Sequence, residues 1–142
     1  SIGIDGAPCN NNLDIFREMR SAALIQKARL LSPTVMPAEK VFELATINGA
    51  KAMGMEDEIG SLEAGKRADI VIMDLNKISN SPNSQANVIS QLVYSASACD
   101  VETTIIDGKI VMKDRQLLTL DEKSIMSDAN RLIKVQMDKF AI

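Results

Sequence analysis

No histidine and no tryptophan occur among the 142 residues of this sequence. Histidine is the commonest transition-metal ligand in proteins and the usual general base near neutral pH. Its absence excludes Ser-His-Asp and Cys-His catalysis within this chain, and it excludes any zinc site built from histidine. Metal or triad chemistry would therefore need residues supplied by another stretch of polypeptide.

Aromatic residues and net charge are also low. Aromatics make up 3% of the chain and the formal net charge is −3, so we expect neither nucleic acid nor an anionic membrane as a partner. No apolar run approaches the roughly 20 residues that span a bilayer, and no signal-peptide pattern is present. Cys9 and Cys99 are far apart and have no metal-like spacing. The two thiols could pair, but we expect reduced cysteines in a cytoplasmic protein.

The residues that are present indicate a folded protein, since 46% of them are apolar. The length suits one domain or two small subdomains. The sequence predicts a short strand at residues 1–5, then a loop rich in turn formers, then a helix over residues 12–31. Asn11 or Asn12 is placed to cap that helix.

A second helix is predicted over residues 37–47, with Pro37 in its first turn, and a brief helical piece follows over residues 50–55. The pattern then changes to β-rich, so we place a boundary near residues 54–60. Within residues 58–76 we expect a short strand, a turn and a buried strand whose IVIM run is covered on both faces.

The clearest local signal is a hairpin around Asp107-Gly108, a preferred two-residue turn between two β-rich runs. Residues 87–96 fit a short helix. Thr119 and Glu122 fit a capping box for a last helix. That helix carries a mostly apolar stripe, which we interpret as a docking face: Ile125, Ala129, Leu132, Ile133, Gln136, Met137 and Phe140.

Two motif-like stretches do not carry the chemistry that they suggest. GSLEAGK, ending at Lys66, matches most of a phosphate-binding loop, but Arg67 stands where a Ser or Thr hydroxyl is needed, and a strand follows instead of a helix. Pro8-Cys9 matches half of a zinc nucleobase-deaminase motif. Asn12 occupies the second cysteine position, however, and the chain has no histidine to complete that site.

Asp5 lies where a predicted strand ends and a glycine-containing loop begins. Residues at the carboxyl ends of strands carry the chemistry of α/β barrels. Gly6 would allow the backbone to turn tightly beside it. An Asp between glycines is also typical of an ordinary turn, so position alone leaves both interpretations open.

Four stretches carry a resemblance to a known family: GIDGAPCNNNLDIFREMRSAALIQKA at 3–28, LATINGAKAMGM at 44–55, IGSLEAGKRADIVIMDL at 59–75 and TTIIDGKIVMKD at 103–114. They occur in the family's order and together cover nearly the whole chain. On these residues the sequence resembles the C-terminal part of the amidohydrolase superfamily. The branch is the one that holds 5-methylthioadenosine/S-adenosylhomocysteine deaminases and the triazine and N-ethylammeline chlorohydrolases.

The resemblance implies an α/β fold: the C-terminal portion of a metal-dependent (β/α)8 barrel hydrolase, followed by strands of a small composite β-sandwich and a terminal helix. Residues 1–56 would form the last strand and helices of the barrel, and residues 57–142 the C-terminal part of the sandwich. The metal would be zinc, with iron as the alternative. The substrate would be a purine-nucleoside-like or triazine ring that loses ammonia or chloride.

The resemblance assigns Asp5 as both a metal ligand and the catalytic acid/base, which takes a proton from the attacking water. Cys9 matches a position near the substrate. Because one carboxylate cannot hold a catalytic zinc, we expect these residues alone to bind no metal and to be inactive. We also expect self-association, or association with a missing N-terminal part. The alternative is a freestanding, non-catalytic α/β assembly module that shares the family's C-terminal half.

Overall fold

The computed structural model of the protein describes residues 1–82 and 84–140, apart from the side chain of residue 86. The helices and strands follow in this order: α1 (Ile15–Leu30), α2 (Ala38–Ala45), α3 (Ile47–Met53), β1 (Ile70–Met73), α4 (Val88–Tyr94), β2 (Val101–Ile106), β3 (Lys109–Lys113), β4 (Gln116–Leu117) and α5 (Glu122–Phe140). Short 3₁₀ turns lie at Ile78–Asn80, Gln85–Asn87 and Ala98–Asp100. Within the described residues, no helix combines the length and the apolarity needed to cross a bilayer.

The strands form one antiparallel sheet in the order β1-β2-β3-β4. The predicted hairpin between β2 and β3 is confirmed, because Asp107 and Gly108 have φ angles of 50° and 75°, as a type I′ turn requires. The Asp107 amide donates to the Asp69 carboxylate at 2.7 Å, and the Gly108 amide donates to the Ala68 carbonyl at 3.1 Å. These two bonds hold the turn against the residues that precede β1.

The prediction that the IVIM strand is covered on both faces is wrong for the described chain. β1 is an edge strand that pairs with β2, and Val71 and Ile72 are 54% and 47% exposed. A continuous apolar run indicates that both faces are suited to burial, but it does not show which residues cover them. No strand forms near residue 59 either, where the chain makes turns and bends.

A small hydrophobic core lies between α1, α2 and α4. Met19 and Ala23 from α1 pack with Ala38 and Val41 from α2 and with Val93 from α4, and each is at most 5% exposed. The short helix predicted over residues 87–96 is thus confirmed as α4. Because Val93 lies beyond residue 56, the helical core draws on both parts of the chain.

Residues 1–5 do not form the predicted strand. Their backbone makes one hydrogen bond to the helical layer, from the Ile2 amide to the Leu44 carbonyl at 3.2 Å. A parallel strand needs neighbouring strands for its backbone groups, and the described residues contain no strand beside this segment. The segment is therefore not part of a strand ladder.

The helix starts differ from the predicted ones. Asp14 caps α1 instead of Asn11 or Asn12, and Pro37 stands immediately before α2 instead of inside its first turn. The last helix begins at Glu122, and the Asp121 carboxylate accepts the Ser124 amide at 3.0 Å, so the predicted Thr119 capping box is wrong. Helix α5 has no buried residue, and its apolar stripe stays a predicted docking face.

Gly60 is required where the loop after α3 turns back onto that helix. Its φ is +91°, and a Cβ at this position would lie 2.7 Å from the Ala50 Cβ and 3.0 Å from the Ile47 Cα. Both the backbone conformation and the lack of space exclude larger residues. This contact sets how the chain leaves the helical layer toward β1.

We expect Gly60→Ala to destabilise the protein by about 2–5 kcal/mol, because the substitution adds backbone strain to a steric clash. Gly65→Ala is the matched control, since Gly65 has a φ of +96° and no atom lies within 4 Å of the place that a methyl group would take. It should cost only the strain, about 1–2 kcal/mol. Urea unfolding followed by circular dichroism measures both, and equal losses would contradict the steric explanation.

A buried carboxylate organises the chain just before β2. Asp100 is 4% exposed and accepts hydrogen bonds from Lys77 Nζ at 2.7 Å and from the Ser97 amide at 2.9 Å. Burial of Asp100 opposes its ionisation, but the bonds from Lys77 and Ser97 outweigh that effect and lower its pKa below the ordinary value. The ionised form is therefore the one that the fold stabilises.

A lowered pKa in the folded state means that the stabilisation is complete above the unfolded pKa, near 3.9, and is lost as pH falls through the lower folded value. We expect Asp100→Asn to cost about 1–3 kcal/mol at pH 7 and progressively less below about pH 4. Asp138→Asn, on the exposed face of α5, should change little at either pH. A pH-independent loss in thermal melts of the Asp100 variant would refute the electrostatic origin.

Candidate functional site

Asp5 lies in the exposed segment that leads to α1, and its backbone adopts a left-handed conformation with a φ of 58°. Such a conformation is uncommon outside glycine, although Asp tolerates it better than most residues. The Gly6 amide donates to Asp5 Oδ1 at 2.7 Å. Asp5 Oδ2 has no hydrogen-bond partner within the part of the chain that the structure describes, so it faces solvent with one oxygen uncommitted.

The residues after Asp5 form a tight turn. The Gly6 carbonyl accepts hydrogen bonds from the amides of both Cys9 and Asn10, each at 2.9 Å. Cys9 is a free and exposed cysteine in the same turn. The structure thus brings the two sequence-predicted site residues, Asp5 and Cys9, into one short loop.

Two asparagines tie this loop to the side of α1. Asn10 Nδ2 donates to Glu18 Oε1 at 2.7 Å, and Asn12 Oδ1 accepts from Arg17 Nη1 at 2.6 Å. Sequence reasoning indicates loop and cap roles for these asparagines, and it misses both links to the helix. The sequence signal that could have revealed these links is the presence of two polar side chains, Arg17 and Glu18, in the first turn of the helix.

Asp14 fixes the helix to which the loop is tied. Its Oδ1 accepts the Phe16 amide at 3.0 Å, and its Oδ2 accepts the Ala98 amide at 3.1 Å. From the next turn of the helix, Arg20 donates to the Ala96 carbonyl at 2.9 Å. The start of α1 is therefore bonded to the connection that leads into β2.

The acidic and thiol groups of this chain do not assemble a metal site by themselves. No group of three or more Cys, Asp or Glu side chains that could hold an ion occurs within residues 1–82 and 84–140. Asp5 offers one carboxylate oxygen, a suitable donor, whereas a catalytic zinc normally has three protein ligands. The residues present therefore fit no more than one position of such a coordination set.

Two surface depressions lie away from this loop. One is bordered by Leu75 and Val88, and the other by Leu117 and Leu120. Neither is lined by Asp5 or Cys9. The chemistry-bearing loop is thus an open surface in the described chain, and it would need a covering wall to exclude water from a substrate.

Comparison with known proteins identifies relatives for nearly the whole chain. It is 46% identical over 133 residues to a 5'-deoxyadenosine deaminase from Methanobrevibacter smithii, covering 94% of this chain and 30% of that protein. It is 48% identical over 130 residues to a 5-methylthioadenosine/S-adenosylhomocysteine deaminase from Desulforudis audaxviator, covering 92% of this chain and 30% of that protein. The chain thus spans about 30% of the length of these curated relatives.

Solved structures share the fold. An adenosine deaminase from Xanthomonas campestris with bound zinc matches with a TM-score of 0.84 and 38% identity, over 89% of this chain and 28% of that one. An atrazine chlorohydrolase from Arthrobacter aurescens TC1, complexed with zinc, matches with a TM-score of 0.77 and 21% identity, over 90% of this chain and 28% of that one. At that identity the second match shows a common fold alone.

The family model described as Amidohydrolase family matches residues 1–111, which include the Asp5 loop, the helical layer and most of the sheet. This match agrees with the resemblance noted in the sequence. The chain belongs to the amidohydrolase family.

Proposed function

We propose that this chain is the C-terminal part of a metal-dependent amidohydrolase that hydrolytically deaminates a purine-nucleoside-like small molecule. The observation that carries the proposal is Asp5, an exposed carboxylate in the family's G-x-D-G pattern with one oxygen free for a ligand. Relatives at 46% and 48% identity named as deaminases of adenosine derivatives support this substrate class. Dechlorination of a triazine is the second candidate, because the sequence resembles the branch that also holds the triazine chlorohydrolases.

The two parts of the chain have different places in this proposal. Residues 1–56 would contribute the last strand and helices of the barrel, and residues 57–142 the C-terminal part of the composite sandwich with its terminal helix. The antiparallel sheet lies wholly in the second part, between Ile70 and Leu117, which supports the division. The segment at residues 1–5 would become a strand only beside barrel strands from elsewhere in the protein.

Asp5 would act as one metal ligand and as the acid/base. A divalent metal, when bound, lowers the pKa of water and so supplies a nucleophile at neutral pH. The Asp5 carboxylate accepts a proton as water attacks the ring carbon that bears the amino group, and it passes that proton toward the departing nitrogen. The C–O bond forms, the C–N bond breaks and ammonia leaves. The Gly6 amide holds Oδ1 throughout and keeps the carboxylate oriented.

Zinc is the metal that we propose, because the adenosine deaminase neighbour at 38% identity contains it, and iron is the alternative. We also propose that Cys9 borders the substrate, since it is exposed in the same turn as Asp5. Cys9→Ser should then alter KM more than kcat. An unchanged KM for every substrate tested would remove Cys9 from the site.

We expect Asp5→Asn in the whole enzyme to lower kcat by about 10²–10⁴-fold, because the amide cannot accept the proton, and to reduce the zinc content. Ammonia release from 5'-deoxyadenosine and 5-methylthioadenosine measures the first effect, and elemental analysis of the purified protein measures the second. Substrate preference between these nucleosides and a chlorotriazine tests the assigned class.

Asp114→Asn is the matched control for that substitution. Asp114 is another exposed aspartate with a left-handed backbone, at a φ of 51°, but it lies in the turn between β3 and β4. Its variant should keep full activity and full zinc. If the Asp5 variant retains both as well, the proposed role of Asp5 is wrong.

The 142-residue chain by itself should release no ammonia from these substrates and should retain no zinc after dialysis, because it offers one of the three ligands that zinc needs. An active, zinc-loaded preparation of this chain alone would contradict the proposal.

Apolar side chains exposed on α1, among them Leu24 and Ile25, should make the isolated chain self-associate without fixed stoichiometry. One stable oligomer in sedimentation experiments would favour the freestanding assembly module.

A further inference from the structure

Gly6 is held at both of its backbone polar groups. Its amide donates to Asp5 Oδ1 at 2.7 Å, and its carbonyl accepts the amides of Cys9 and Asn10, each at 2.9 Å. The direction of the Gly6 amide therefore depends on the turn that receives its carbonyl. Since that amide orients the Asp5 carboxylate, the position of the turn and the direction of the carboxylate are linked.

Asn10 connects this turn to the helical layer through three groups. Its backbone amide binds the Gly6 carbonyl, its Oδ1 accepts the Asn12 amide at 3.1 Å, and its Nδ2 donates to Glu18 Oε1 at 2.7 Å. The bond to Glu18 is partly buried. It is therefore less exposed to competition from water than a bond on the open surface.

The Asn10–Glu18 bond is the attachment to α1 that lies nearest to Asp5 along the described chain. Residues 6–9 are Gly, Ala, Pro and Cys, and their side chains make no hydrogen bond to the helix. The other attachment, Asn12 to Arg17 at 2.6 Å, lies beyond Asn10 and has no contact with Gly6. Loss of the Glu18 bond would free the turn that carries the Gly6 carbonyl, while the second attachment would remain.

We propose that Asn10 is a positioning residue, which holds the Gly6 amide on Asp5 through its bond to Glu18 and so sets the direction of the reacting carboxylate. This inference rests on the proposed function of Asp5. Groups that orient a metal ligand from outside the coordination set typically change metal affinity or activity by about 10–100-fold when they are lost. Asn10 has the contacts that such a role requires.

The test exchanges the donor and the acceptor of the Asn10–Glu18 hydrogen bond in the whole enzyme. Asn10→Asp keeps the size of the side chain and its acceptor for the Asn12 amide, but it places a carboxylate against Glu18. We expect kcat to fall about 10–100-fold with little change in KM, and zinc to be lost faster to a competing chelator. In the double variant Asn10→Asp/Glu18→Gln, the introduced glutamine amide donates to the introduced aspartate, and both properties should recover.

Two further variants separate positioning from general support of the loop. Glu18→Gln alone keeps a carbonyl acceptor for the Asn10 amide and should behave as the unsubstituted enzyme does. Asn12→Ala removes the parallel bond to Arg17 and should change kcat by no more than about twofold, as exposed substitutions typically do. A loss in Asn12→Ala equal to that in Asn10→Asp, or a double variant that does not recover, would overturn the inference.

Hydrogen exchange of the Gly6 amide in the metal-free protein gives a readout independent of activity. It should be faster in Asn10→Asp and return to the original rate in the double variant. An unchanged rate would overturn the role of Asn10 even in an active enzyme. If the unsubstituted enzyme instead releases no ammonia while these exchange rates change as expected, the proposed function fails and the structural link between Asn10 and Gly6 stands.

Discussion

The carboxylate of Asp14 is buried between the start of α1 and the connection that leads into β2, and each of its oxygens accepts one backbone amide. One amide belongs to Phe16 and the other to Ala98, which is 84 residues away in the chain. A buried carboxylate is costly unless it is hydrogen-bonded, and these two amides supply those hydrogen bonds. Together with the bond from Arg20 to the Ala96 carbonyl, Asp14 fixes where α1 begins and how the helical layer meets the sheet. Glu18, one turn further along α1, acquires from it a defined position from which to hold the loop that carries Asp5.

The absence of histidine decides how the Asp5 loop is interpreted, because the chain has no imidazole that could complete a metal site. Among the described residues, Asp5 belongs to no group of three or more side chains that could hold a metal ion, so under the proposed function the Asp5 loop is one component of a centre that other residues complete. The loop is stabilised by its own turn and by asparagine links to α1, and none of these contacts requires a metal. The direction of the carboxylate can therefore be set before the remaining ligands arrive, which lowers the cost of assembling the site. Under the proposed function, this chain supplies a proton acceptor held in advance, and the histidines come from strands elsewhere in the protein.

Sequence reasoning succeeds where a structure depends on neighbouring residues alone. A type I′ turn requires positive φ angles at both of its central residues, and Asp-Gly is a preferred pair there. The hairpin at Asp107-Gly108 can therefore be predicted from two residues. The cap of α1 cannot, because Asn11, Asn12 and Asp14 are all acceptable cap residues, and the choice is decided by the distant Ala98 amide. Asp5 can be distinguished from an ordinary turn residue only through the family pattern around it. The role inferred for Asn10 depends on Glu18, eight residues away across a turn whose shape the sequence does not specify.

The exposed apolar residues of the described chain fit the same proposed function. Leu31 on the end of α1 is 92% exposed, and Val71 on the edge strand β1 is 54% exposed, although burial of such side chains contributes about 1.5–3 kcal/mol each. Under the proposed function, in which this chain is part of a longer protein, these faces would pack against the remainder. Residues 1–5 lack strand partners in the described chain, and Asp5 ends that segment. Partner strands that completed a parallel ladder there would also bring residues from their own carboxyl ends beside Asp5. Completion of the fold and completion of the metal centre would then be a single event, in which the backbone pairing of residues 1–5 delivers the missing ligands to a carboxylate already in place.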